Sequence, residues 1–175
     1  MLDSTREPFP QDVFADVIES NEAFVETFED AGMTGRAARG LAIITCMDSR
    51  IDPLAIVGMR AGDVKILRNA GARVTEDVLR TLVLATHLLG VQRILIMPHT
   101  DCRMASADEP TMHQAIFEAS GIDSRSLEIR TVADQEAALV SDVTRVRTYP
   151  FLPPGTVVGG AIYDVHSGRL STLEA

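Results

Sequence analysis

The chain carries only two cysteines, and each stands beside residues that bind metals or move protons. Cys46 opens the run Cys46-Met-Asp48-Ser-Arg50, and Cys102 closes the run His99-Thr-Asp-Cys102. In a reducing compartment such a pair binds metal or serves catalysis more often than it forms a disulfide; two unrelated buried thiols are the plain alternative. Two thiolates and an imidazole suit a borderline-soft ion with a tetrahedral preference, which points to zinc. Three protein ligands leave a fourth position open, as catalytic zinc sites do, whereas Asp48 as fourth ligand would close the site into a structural one. Asp48 and Arg50 follow the first ligand on a tight turn. An arginine paired to a carboxylate beside a metal keeps that carboxylate ionised and oriented, ready to take a proton from metal-bound water. The alternative is a surface ion pair, worth little.

Such groups need elements that bring them together. Leu41-Ala-Ile-Ile-Thr45 is a continuous apolar run, the pattern of a strand buried on both faces, and it delivers Cys46. Arg93-Ile-Leu-Ile-Met97 repeats the pattern and delivers His99 through Pro98. In parallel α/β sheets functional groups gather at the carboxyl ends of strands, so both cysteines and the histidine meet if these strands are neighbours. Further strands are expected at Asp63–Arg68 and Thr156–Val165. The turn His166-Ser-Gly168 leads into a hairpin edge at Arg169–Leu173. Helices are predicted at 11–31, where Phe14, Ile18, Val25 and Phe28 share an apolar stripe, at Asp52–Val57, at Thr75–Leu89, at 110–120 and at 133–147. Strands alternating with helices define an α/β fold: a mostly parallel central sheet with an antiparallel edge strand, flanked by helices.

The chain has 175 residues, of which 46% are hydrophobic and 23% charged, as expected of one globular domain. Its net charge of −9 argues against non-specific binding to nucleic acid or anionic membranes, which requires a basic surface. The polar N-terminus lacks the basic-then-apolar pattern of a secretory signal. The apolar runs fall well short of the roughly 20 residues a membrane span needs. A cytoplasmic location is expected.

Cys46-Met-Asp-Ser-Arg50, Arg68-Asn-Ala-Gly71 and His99-Thr-Asp-Cys102, in this order and at these intervals, resemble a β-class carbonic anhydrase, and the short length resembles its compact bacterial members. The resemblance implies one zinc ion on Cys46, His99 and Cys102, with Asp48 and Arg50 as the catalytic pair. The reaction it implies is reversible hydration of carbon dioxide to bicarbonate by zinc-bound hydroxide. It implies one domain over residues 1–175, with a helical arm at 1–40 and an α/β core at 41–175. It also implies a homodimer as the basic unit, extensible to a tetramer, with the N-terminal helix reaching onto the partner; a helix packed on its own domain is the alternative. Two thiolates cancel the formal charge of zinc, so activity should rise towards alkaline pH. In some members the aspartate leaves its arginine to occupy the fourth zinc position. Relatives that hydrolyse carbon disulfide or carbonyl sulfide leave those substrates as an alternative, and a non-catalytic zinc protein closed by Asp48 is another.

The chain departs from the family pattern in three places. Arg103 follows the second cysteine ligand where Gly is usual; its side chain can narrow the site, pair with an acid or point outward. The outward course is expected, because a guanidinium over zinc would trap bicarbonate. Its backbone amide, and one near Gly71, are candidates for orienting substrate, since the stretch Ala37–Gly40 lacks the glutamine that plant-type members use. The chain has no Trp, so the bicarbonate-regulated subgroup is not expected. His87, His113 and His166 read as structural or solvated, with His113 a conceivable proton shuttle. Asp101, between two ligands, reads as a solvated loop acid or a support for its neighbours.

Overall fold

A computed structural model describes residues 8–29 and 32–173, which fall into two units divided after Met33. In the first unit a 3₁₀ turn, Gln11–Phe14, runs into helix α1, Ala15–Thr27. The expected helix over 11–31 is thus shorter at its C-terminal end, because Phe28 turns to extended backbone. Residues 30 and 31 lie outside the described residues. No residue of α1 is buried, and Phe14, Val17, Ile18, Phe24 and Val25 are all exposed.

The second unit is built on a five-stranded sheet. Its strands are β1 (Leu41–Cys46), β2 (Val64–Asn69), β3 (Arg93–Met97), β4 (Val157–Tyr163) and β5 (Leu170–Thr172), in spatial order β2-β1-β3-β4-β5. The first four pair in parallel and β5 pairs antiparallel to β4, as the alternating pattern predicts. All six residues of β1 are buried, as a central strand without a single charged side chain requires. The remaining helices are α2 (Pro53–Ile56), α3 (Glu76–Leu88), α4 (Glu109–Ser120) and α5 (Gln135–Arg147).

Side chains alternate across the sheet and divide the core in two. Ala42, Ile44, Ile94 and Ile96 pack against Val78, Leu79 and Leu82 of α3 and Leu139, Val143 and Val146 of α5. Each fully buried aliphatic side chain contributes about 1.5–3 kcal/mol relative to exposure. Gly160 of β4 lets α5 come close: a Cβ there would stand 3.0 Å from Leu139 and Val143. On the other face Leu41, Ile43 and Met97 join Ile51, Ala72, Cys46 and Cys102 in a second cluster. The metal-capable residues therefore grow out of an apolar layer. Helix starts follow the capping rules: Thr75 accepts from the amide of Val78, and Asp134 from that of Ala137. Among the described residues no helix is long and apolar enough to cross a membrane.

Candidate metal centre

Strands β1 and β3 are adjacent and parallel, with Thr45 opposite Met97, so their carboxyl ends open at the same edge. The Thr45 hydroxyl ties the two ends together by donating to the Met97 carbonyl (2.8 Å). Beyond Pro98 the chain rejoins β4: the Thr100 amide donates to the Tyr163 carbonyl (2.9 Å) and the Tyr163 amide to that of Pro98 (2.9 Å). His99 is held between these bonds and is fully buried.

Cys46, His99 and Cys102 come together with their ligand atoms within 4.8 Å of one another, and all three are buried. The two sulfurs are 4.0 Å apart. His99 Nδ1 lies 2.8 Å from the Thr100 carbonyl, which can only accept, so Nδ1 carries the proton and Nε2 a free lone pair. That Nε2 is the one buried side-chain nitrogen or oxygen without a hydrogen-bond partner among the described residues. A buried polar atom left unpaired is costly, and an imidazole fixed by its other nitrogen with its lone pair beside two thiols is what a zinc site requires. The residues present fit the ion.

The sulfurs influence one another. The hydrogen bond with Cys102 pulls the Cys46 thiol far below its ordinary value. The Cys46 sulfur, together with burial, pushes Cys102 up. Two thiolates at this distance would repel in a poorly solvated place, so Cys102 holds its proton more tightly than Cys46.

Asp48 and Arg50 stand at the rim. Arg50 grips the carboxylate three ways: its amide (2.9 Å) and Nε (3.0 Å) donate to Oδ1, and Nη2 donates to Oδ2 (2.7 Å). This hydrogen bonding holds the Asp48 carboxyl well below the usual carboxylate range. Oδ2 lies 3.8 Å from His99 Nε2. Asp101, read chiefly as a solvated acid, takes part: Arg50 Nη1 donates to its carboxylate (2.7 Å) and Nη2 to its carbonyl (3.0 Å). Its φ of +54 turns that carbonyl inward, a conformation aspartate tolerates better than most residues.

Other supports had no assigned role in the sequence. Arg68 donates from Nε to the Cys46 carbonyl (2.9 Å) and from Nη2 to the Asp48 carbonyl, fixing the turn that carries both. Asn69 stitches the loop after β2 by bonding both the amide and the carbonyl of Arg73. Gln135 donates to the His99 carbonyl (2.6 Å). Arg68 and Asn69 sat in a recognised motif without a task, and Gln135 carried no signal beyond a polar residue at a helix start. Gly71 is buried and lines a small cavity together with Cys102. Arg103 is exposed, and its guanidinium has no hydrogen-bond or ion-pair partner among the described residues. His87 meets the Phe151 carbonyl and His113 the Ser124 hydroxyl, both at 2.9 Å, and His166 lies in an exposed turn.

Fold and site define a class first: α/β proteins with a thiolate–imidazole metal centre where two neighbouring parallel strands end. The profile of the family described as carbonic anhydrase matches residues 41–170. Beta-carbonic anhydrase 1 of Mycobacterium tuberculosis is 31% identical over 136 residues, covering 78% of this chain and 83% of that protein. Carbon disulfide hydrolase of Acidithiobacillus thiooxidans is 30% identical over 153 residues, covering 75% of this chain and 76% of that protein. The crystal structure of carbonic anhydrase from Streptococcus mutans superposes with a TM-score of 0.86 at 31% identity, covering 96% of this chain and 100% of that one. The chain belongs to the β-carbonic anhydrase family of enzymes.

Proposed function

We propose that this protein catalyses the reversible hydration of carbon dioxide to bicarbonate and a proton, with one zinc ion per subunit on Cys46, His99 and Cys102. The observation that carries the reading is the unpartnered, fully buried Nε2 of His99, aimed at two thiols beside an arginine-held carboxylate. When bound, zinc would supply a Lewis acid that makes a water more acidic, less strongly than in all-histidine sites because two thiolates offset its charge.

The chain's own groups do the rest. A carboxylate oxygen accepts about two hydrogen bonds. Oδ1 of Asp48 already takes two from Arg50, whereas Oδ2 takes one and faces His99. Oδ2 therefore keeps one acceptor position towards the ligands. Because Arg50 lowers the proton affinity of Asp48, the carboxylate orients an O–H donor and does not store its proton. Arg50, anchored also on Asp101, keeps Asp48 turned to the rim, which favours an open fourth position over one closed by Asp48. The apolar layer beneath, with Ile51, Ala72 and Met97, suits an uncharged, linear substrate. The backbone amides of Gly71 and Arg103 are further candidates for orienting it.

The same reading takes residues 1–175 as one domain with a helical arm over 1–40, and a cytoplasmic homodimer as its basic unit, with a tetramer as an extension. The exposed apolar side chains of α1 support a role for the arm in that assembly. Stopped-flow hydration of carbon dioxide by zinc-loaded protein at alkaline pH tests the activity. Turnover that disappears in Cys102→Ser is expected; an inactive wild type that holds zinc would leave a non-catalytic site. Sulfide release from carbon disulfide without carbon dioxide hydration would move the substrate to the sulfur-containing class.

A further inference from the structure

Helix α5 reaches the site at two points seven residues apart, and therefore on one helical face. Gln135, at its start, donates to the His99 carbonyl. Two turns later Asp142 receives Arg73: Nε donates to Oδ2 at 2.7 Å and Nη2 to Oδ1 at 3.4 Å. Between these points Ala138 and Leu139 line a small internal cavity shared with Gly71 and Cys102.

Arg73 ends the loop that follows β2. The Asn69 side chain closes this loop on itself, accepting from the Arg73 amide (2.9 Å) and donating to its carbonyl (2.7 Å). Inside it Gly71 adopts φ +77 and presses on Met104, where a Cβ would come within 3.1 Å of the Met104 Cβ. The next residue, Ala72, is buried in one apolar cluster with Cys46 and Cys102. The loop is thus closed at its base and pinned at its exit, with its middle packed against the ligand residues. Stability alone gives little reason to bury a full ion pair, since well-packed apolar residues often serve as well or better. A directional, bidentate contact is useful where a loop must stand in one place.

We propose that Asp142, acting through Arg73, is a positioning residue for the metal centre: it holds the 69–73 loop so that Gly71 and Ala72 stay packed against Cys46 and Cys102. The inference rests on Cys46, His99 and Cys102 being the zinc ligands. Its test is the double variant Arg73→Met/Asp142→Leu, which replaces the ion pair with apolar bulk and is expected to unfold thermally near the wild type. Zinc affinity, measured by competition with a chromogenic chelator, is expected to weaken by about 10–100-fold, as when supporting contacts of metal ligands are lost. The sulfur-to-metal charge-transfer absorption of the cobalt-loaded protein is expected to shift with it.

Asp142→Asn, which keeps one acceptor for Arg73, should lose less affinity. Val143→Ala, on the same helix but facing the core, should lower stability and leave affinity and absorption unchanged. A folded double variant with wild-type affinity and an unshifted spectrum overturns the proposal. If the double variant does not fold, Asp142→Asn decides: an affinity loss beyond that of Val143→Ala supports the role, and an equal one overturns it. A wild type that binds neither metal brings down the ligand assignment and this inference together.

Discussion

Two arginine–aspartate pairs, built from the same groups, serve opposite ends of the site. At the rim Arg50 holds Asp48 and Asp101, with side-chain exposures of 44%, 19% and 62%. Beneath it Arg73 holds Asp142, with exposures of 20% and 6%. The rim pair is wetted and close to the ligands, so its electrostatic worth to folding is small and its carboxylate remains available to a hydrogen-bond donor. The inner pair is poorly solvated and joined to a helix, so neither partner can be lost without stranding the other. Surroundings, more than chemistry, divide the work: one pair is placed to act on what enters, the other to keep the walls in place.

The contrast can be broken by experiment. Asp48→Asn should lower carbon dioxide turnover by about 10²–10³-fold, as when one positioned polar partner of the reacting atoms is lost, while zinc content holds and stability moves by less than about 1 kcal/mol. Stopped-flow rates, metal analysis and urea unfolding check this; a large loss of stability would erase the distinction between the pairs. Arg73→Ala should do the reverse in stability, costing about 3–5 kcal/mol in urea unfolding because Asp142 is left buried and unpaired. A cost comparable to that of a surface pair would show that water relieves Asp142.

Acidity acts on the ligands between the two pairs. Cys102 is raised by the Cys46 sulfur, so a zinc ion held by both sulfurs would displace a proton. The sign follows: zinc affinity should rise with pH, by about tenfold per unit while one proton is displaced, and calorimetry in buffers of different ionisation enthalpy should register its release. Affinity indifferent to pH over 6 to 8 would mean that both sulfurs are already ionised. The smallest effect belongs to Asp101→Ala. Arg50 keeps its bonds to Asp48, so stability should change by less than about 1 kcal/mol, read from urea midpoints. A turnover loss as large as that of Asp48→Asn would make Asp101 an equal partner at the rim.

Much of this was legible in the sequence where one residue type had one reason to be present. Leu41–Thr45 and Arg93–Met97 are too apolar for an edge strand, and they stand side by side at the sheet centre. The helices predicted at Thr75–Leu89 and 110–120 form as α3, Glu76–Leu88, and α4, Glu109–Ser120. Cys46, His99 and Cys102 meet because strand ends converge, which the βα alternation already implied. The supporting contacts were hidden for a physical reason. Arg73 and Asp142 are far apart in sequence, and a charged residue in a helix is usually solvated, so only the packing of α5 reveals that this one is buried. Asp101 was ambiguous because its bond to Arg50 depends on a left-handed turn that aspartate permits but does not announce. The helix read over 11–31 forms at Ala15–Thr27 after a 3₁₀ turn and gives way at Phe28 to extended backbone.

The parallel pairing of β1 with β3 also bears on how the protein is made. Parallel neighbours need a crossover, here through β2 and α3, so Cys46 cannot meet His99 and Cys102 until that whole excursion has folded back. The unfolded chain offers an ion only the short His99–Cys102 segment, a weak two-point hold. Zinc should therefore bind the finished sheet far more tightly than the nascent chain and stabilise it by mass action. Such long-range pairings form slowly, so an ion that needs all three ligands would bind only once they have formed.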